Sequence, residues 1–232
     1  MAKYLIVNAD DFGLSDGVNR GIIEAAESGI LTSASLMVRQ PAASAAAHYA
    51  RTKARISVGL HLDFGEWFYR DGEWLPLYAV VPTEDSKAVA AEISHQLAEF
   101  QRLVGKNPTH LDSHQHVHRN EPVLSIAKEI AKDLNLPLRN FAPLVRYCGD
   151  FYGQTAEGEH WPEGISLSNL QNILNCLPDG VTELGCHPGY GDGLATIYRK
   201  ERAMEISVLC RPELRGLLKA LGIELRSHDR KP

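Results

Sequence analysis

The sequence predicts an α/β fold, a distorted TIM-like (β/α) barrel of about seven parallel strands forming a single domain over residues 1–232. Two observations predict it. Short β-type runs alternate with longer helical ones along the whole chain, and no repeat, linker or composition break interrupts that alternation. With 44% apolar residues in 232, the chain buries one sizeable core and little more. An open doubly wound sheet is the alternative, since the pattern does not reveal strand order.

The elements follow in order. Tyr4–Asn8 reads as the first strand, followed by a helix from Ser15 or Asp16 to Glu27 with a polar N-cap and Gly29 as its stop. Ser33–Val38 is the second strand, and Pro41 opens an Ala-rich helix ending near Thr52. Ile56–Leu62 is the third strand. Asp63 to Asp85 reads as a long loop holding an aromatic cluster from Trp67 to Tyr78, before a helix from Ser86 to Val104. Thr109–Asp112 is the fourth strand, and Pro122 starts a helix reaching Leu134. Leu138–Phe141 is the fifth strand, and residues 142–166 read as a second long loop. A helix at Leu167–Leu177, a strand at Val181–Cys186, helices at Arg199–Leu209 and Pro212–Leu221, and a strand at Ile223–Arg226 complete the chain.

The net charge of −5 gives no basic excess for a phosphate backbone, so no nucleic-acid partner is expected. No run approaches the roughly 20 apolar residues of a membrane span, and the N-terminal apolar run is too short for a signal peptide. A cytoplasmic location is therefore expected, and an exposed barrel side leaves room for a homodimer. The four cysteines, Cys148, Cys176, Cys186 and Cys210, lack CxxC spacing and read as reduced structural thiols.

In βα barrels the loops after the strands form the functional face, and polar residues of catalytic type fall there. Asp10 and Asp11 follow the first strand, His61 ends the third, His114 follows the fourth, Arg139 lies on the fifth and His187 follows the sixth. Adjacent carboxylates beside a buried strand repel one another and need a cation or several donors to stay ionised; alternatively, one of them makes an Asx turn or a helix cap. His110, His114, His116 and His118 put four imidazoles within nine residues, more than packing requires. If that segment stays extended, alternation sets His114, His116 and His118 on one side. His61, in an apolar strand, is a core histidine or the third member of an Asp/His/His set that leaves coordination positions open. His187, ahead of Pro188-Gly189, is a turn histidine or a general acid. Arg139 orients a carboxylate or is a surface charge, and Trp67 belongs to a sugar-stacking platform or a hydrophobic lid. With no nucleophile elbow, P-loop or dinucleotide fingerprint, water activated by a divalent metal remains as the chemistry.

The strings VNADDFGLS, GLHLDF, THLDSHQHVH and GCHPGY, in this order, resemble the YdjC/ChbG-type (ChbG/HpnK) carbohydrate deacetylase family from Tyr4 to Arg226. The resemblance implies a distorted βα barrel that removes the acetyl group from N-acetylated sugars, with a small-molecule sugar or glycolipid as partner and one divalent ion as cofactor. It implies Asp11, His61 and His114 as metal ligands, Asp10 as general base and His187 as the acid that protonates the departing amine; adjacent carboxylates leave the Asp10 and Asp11 roles exchangeable. His116 and His118 become pocket or ligand-orienting candidates, and some relatives carry three consecutive histidines where this chain has His114-Gln115-His116. The family is described with Mg, whereas two imidazoles and a carboxylate suit Zn, Co, Ni or Mn. A metal-dependent phosphoesterase and a non-catalytic sugar-binding barrel are the alternatives.

Overall fold

In the computed structural model, residues 2–53, 55–191, 194 and 196–229 are described. Along the first half run β1 (Lys3–Phe12), α1 (Asp16–Ser28), β2 (Ser33–Leu36), α2 (Ala43–Thr52), β3 (Ser57–Leu62), β4 (Gly65–Arg70), β5 (Glu73–Ala79) and α3 (Ser86–Val104). The second half holds β6 (Leu111–Ser113), α4 (Val123–Asp133), β7 (Val145–Cys148), α5 (Leu167–Asn175), β8 (Gly180–Cys186), α6 (Lys200–Leu209), α7 (Glu213–Ala220) and β9 (Ile223–Leu225).

Local chemistry sets the helix ends. Ser15 accepts the Val18 N–H at 3.1 Å and starts α1. Asp85 accepts from the Lys87 and Ala88 amides to start α3, and Gly105, at φ 80°, ends it in the left-handed conformation that glycine adopts without penalty.

Among the described residues, seven strands form one parallel sheet in the order β6-β3-β2-β1-β8-β7, with β9 beside the start of β1. The sheet curls into a half-barrel: β6 and β7 do not pair, and the gap carries the single bridge Leu111 to Leu138. Alternation divides the two faces of β1. Leu5, Val7 and Ala9 join the buried apolar core, whereas Asn8 and Asp10 face the barrel interior, where Asn8 bonds Ser35 and Asp10. That interior is polar, so its groups must satisfy one another, and Ser35, His110, Asp112 and Glu183 are all buried there.

Three sequence expectations are corrected. The segment expected as a loop from Asp63 to Asp85 contains the antiparallel hairpin β4–β5, turned at Asp71-Gly72 with both residues at positive φ; an Asp-Gly pair is a strong hairpin signal. The strand expected at Leu138–Phe141 shrinks to one bridge because the Phe141 and Ala142 amides both turn back to the Leu138 carbonyl. The ladder instead gains β7, inside the second expected loop, an edge strand only partly buried and so without an apolar signature. Third, His114–Arg119 is not extended: it coils as a 3-10 turn with Gln115 and His116 at φ 49° and 54°. His114, His116 and His118 therefore do not share one side.

Candidate active site

Consecutive strand residues point to opposite faces, yet Asp10 and Asp11 both line one cavity of about 650 Å³ at the C-terminal rim of the barrel. A register shift between Ala9 and Phe12 makes this possible, with Asp11 in the left-handed region at φ 65°. A bulge of this kind re-aims a side chain next to a site.

Asp11 meets three groups. Arg202, buried on α6, donates from Nη2 to Oδ2 at 2.6 Å, while Oδ1 lies 2.9 Å from His114 Nδ1 and 3.4 Å from His61 Nε2. Burial pushes the Asp11 carboxyl up, but Arg202 and His114 outweigh it and hold it well below the usual carboxylate range. Asp11, His61 and His114 thus each bring a donor atom to a space where these atoms lie within 4.8 Å of one another.

The other side of His61 is fixed as a metal-ligating imidazole requires. Its Nδ1 faces Asp112 Oδ1 at 2.8 Å, which leaves Nε2 to the Asp11 cluster. Asp112 is itself held by the Ser35 hydroxyl at 2.6 Å and Arg139 Nη2 at 2.7 Å. One carboxylate and two imidazoles are a donor set that fits a divalent cation, and the carboxylate behind His61 fits it further. Burial pulls both rings down, but Asp112 and Asp10 raise His61 to about 10, and Asp11 raises His114 to about 9. A second grouping of Asp10, His61 and Asp112 is equally tight, but the Arg139 guanidinium already supplies its positive charge.

Asp10 stands apart from that cluster. Arg139 grips it with two bonds, Nη1 to Oδ2 at 2.6 Å and Nη2 to Oδ1 at 2.7 Å, and Asn8 Nδ2 donates to Oδ1 at 2.9 Å. Burial raises the Asp10 carboxyl, Arg139 and His61 lower it more, and the net shift is downward. Arg139 Nε donates to Glu183 at 2.7 Å, so one buried guanidinium serves Asp10, Asp112 and Glu183. Across the cavity, His187 Nε2 lies 3.8 Å from Asp10 Oδ2. The His187 amide donates to Glu205 Oε2 at 2.5 Å, Glu205 also accepts from the Tyr198 hydroxyl, and the imidazole packs edge-on to Tyr152. Burial depresses His187 to about 4 against the pull of Asp10 and Asp11.

The remaining expected residues are placed as follows. His116 lines the cavity with Nε2 3.4 Å from the Tyr147 hydroxyl. His118 is fully buried: Nδ1 meets the Ser113 hydroxyl at 2.8 Å and Nε2 donates to the Arg139 carbonyl at 3.2 Å. It supports Arg139 rather than facing the cavity. Trp67 lines the wall from β4.

Sequence reasoning missed Arg202, Glu205 and Glu66, and gave Asp112 and Glu183 no role. A signal existed on α6, where Glu201, Arg202 and Glu205 occupy a buried side alongside Ile206 and Leu209. Charges on a helix face that packing would fill with apolar residues announce a polar site.

Comparison with known proteins follows the same line. A family model described as YdjC-like protein matches residues 4–220. A carbohydrate deacetylase of Geobacillus stearothermophilus is 32% identical over 97% of this chain and 96% of its own length. A chitooligosaccharide deacetylase of Klebsiella pneumoniae strain 342 is 31% identical over 98% and 99%. Among solved structures, a proposed cellobiose-phosphate cleavage protein of Enterococcus faecalis V583 superposes with a TM-score of 0.78 at 25% identity, covering 99% of this chain and 98% of that one. A family 4 carbohydrate esterase of Streptomyces lividans shares the fold, with a TM-score of 0.56 at 13% identity over 96% and 91% of the chains.

Proposed function

This chain belongs to the YdjC-like protein family, and from that premise we propose that it is a metal-dependent hydrolase. Its single domain removes the acetyl group from an N-acetylated sugar, a chitooligosaccharide or a related glycan containing N-acetylglucosamine. The observation that carries this reading is the meeting, in one cavity, of the Asp11, His61 and His114 cluster with a separate Asp10 and His187 pair.

Asp11, His61 and His114 would hold a divalent ion, which would supply the positive charge that acidifies water and polarises the acetamido carbonyl. Asp10, kept ionised by Arg139, accepts the proton that water loses as its oxygen bonds to the acetyl carbon. His187 starts neutral, because burial sets its pKa at about 4. It serves as an acid only after taking up a proton, and Asp10 Oδ2, 3.8 Å from its Nε2, is the group placed to pass one. The carbon–nitrogen bond breaks as the amine nitrogen takes that proton from Nε2, leaving acetate and a free amine. Glu205 and Tyr198 hold His187 from behind, and Phe151 and Tyr152 keep that wall of the cavity apolar.

Two imidazoles and one carboxylate favour Zn, Co, Ni or Mn over Mg. Trp67 and Trp74 offer aromatic surface to the sugar. Phosphoester hydrolysis fits less well, since Arg202 is the single Arg or Lys among the described lining residues and its guanidinium is committed to Asp11. The discriminating experiment supplies metal and measures acetate released from N-acetylglucosamine oligomers against phosphate released from an aryl phosphate. Acetate alone supports the proposal, and phosphate alone refutes it.

A further inference from the structure

Glu66 is a buried carboxylate with no Arg or Lys partner among the described residues. It is 3% exposed, its Oε1 accepts the Thr196 hydroxyl at 2.6 Å, and its Oε2 lies 3.8 Å from His114 Nε2. Burying a carboxylate without a cation is costly, so what faces it calls for an explanation. The facing atom is a matching orphan: His114 Nε2 is buried and has no hydrogen-bond partner among the described residues.

The chain around this pair is built to hold it. Glu66 sits on β4 where the hairpin register shifts between Glu66 and Trp67. The neighbours of the two residues are clamped together, the Trp67 amide donating to Gln115 Oε1 at 2.8 Å and Gln115 Nε2 donating to the Trp67 carbonyl at 2.7 Å. Gln115 reaches this position at φ 49°, outside the conformation most residues prefer. The residue after Glu66 is thereby bolted to the residue after His114.

We propose that Glu66 is a positioning residue for the metal centre: its carboxylate, 3.8 Å from His114 Nε2, is the acceptor that keeps the ring proton on that nitrogen, so that Nδ1, the nitrogen facing Asp11, is left as the donor to the ion. This rests on the reading of Asp11, His61 and His114 as ligands. A neutral imidazole carries one proton, and an acceptor behind the ring decides which nitrogen keeps it. Asp112 does this for His61 from the barrel. Glu66 does it for His114 from the hairpin, which also carries Trp67 and Trp74, so the sugar-facing wall and the metal centre share one element.

Calorimetric titration of the metal-stripped full chain with Zn²⁺ and with Co²⁺ tests this, alongside the Co²⁺ absorption spectrum. Glu66→Gln is expected to lose about 10–100-fold in metal affinity and to alter the Co²⁺ spectrum, with the thermal midpoint of the metal-stripped form little changed. Glu66→Asp, which keeps the charge but withdraws it by one methylene, is expected to fall between Glu66→Gln and wild type and stands in if Glu66→Gln does not fold. Affinity within twofold of wild type in Glu66→Gln with an unchanged spectrum, or the same result in Glu66→Asp where Glu66→Gln does not fold, overturns the proposal. His114→Ala keeps the two levels apart: if it binds metal as wild type does, the ligand reading itself has failed, whereas its loss of metal beside an unaffected Glu66→Gln overturns only the role of Glu66.

Discussion

Arg139 holds Asp10 by two parallel bonds of 2.6 and 2.7 Å, and it does so from the connection between α4 and β7 rather than from a regular strand. The same guanidinium reaches Asp112 and Glu183, so the orientation of Asp10, the carboxylate behind His61 and a third buried acid depend on one side chain. Planar, multiply bonded recognition of this kind suits Arg and not Lys.

Arg139→Met should leave three buried carboxylates without their cation and cost about 3–5 kcal/mol of stability near neutral pH. Asp10, Asp112 and Glu183 all sit below their ordinary pKa, Glu183 at about 2. Their contribution is therefore present above the usual carboxylate range and lost as pH falls through the folded values. Urea unfolding at neutral pH and at about pH 4 checks this: the penalty should shrink on the acid side, and an equal or larger penalty there contradicts the role given to Arg139.

His114→Ala should lose metal and activity together, whereas His187→Ala should retain metal and lose turnover. Elemental analysis of purified protein, paired with an acetate assay, separates the two. Full activity in either variant would sink the corresponding assignment.

In metal-stripped protein the pull of Asp112, Asp10 and Asp11, winning over burial, sets His61 at about 10 and His114 at about 9. Those raised values stabilise the stripped fold fully below the ordinary histidine pKa of 6.5 and the stabilisation is lost as pH rises through about 9 to 10. Ligands bind metal deprotonated, so metal uptake near neutral pH should expel about two protons and apparent affinity should climb with pH. Calorimetry in two buffers of different ionisation enthalpy counts them, and a count of zero contradicts the ligand set.

Gly59 gives His110 its place: a Cβ there would stand 2.4 Å from the imidazole. His110 Nε2 meets Ser35 at 3.0 Å, and Ser35 donates to Asp112, so the ring has little freedom to yield. Gly59→Ala should destabilise the fold by about 1–3 kcal/mol, measured as a drop in the urea midpoint. An unchanged midpoint would mean that the interior repacks freely.

The sequence made the parallel α/β fold legible because β1, β3 and β8 are continuous apolar or alternating runs and α1 and α3 carry clear caps. It also drew attention to Asp10, Asp11, His61, His114 and His187, because Asp10 and Asp11 lie near the end of β1, His61 near the end of β3, His114 just after β6 and His187 just after β8. What it hid depends on geometry between distant segments. The bulge that brings Asp10 and Asp11 into one cavity is a single residue at φ 65°. The left-handed turn at Gln115 and His116 carries no local propensity signal and defeats strand alternation. Arg202 and Glu205 stand out as charges on an otherwise apolar side of α6, but their place beside His187 is visible only once α6 is known to pack against that strand end.

The most direct measurement is acetate released from an N-acetylglucosamine oligomer by the full chain, loaded with one divalent ion, stripped by chelator and then reloaded. Acetate and free amine are expected in equal amounts, with loss on stripping and recovery on reloading, and with Asp10→Asn and His187→Ala both silent. Acetate release that survives stripping, or that persists in those two variants, would contradict that expectation.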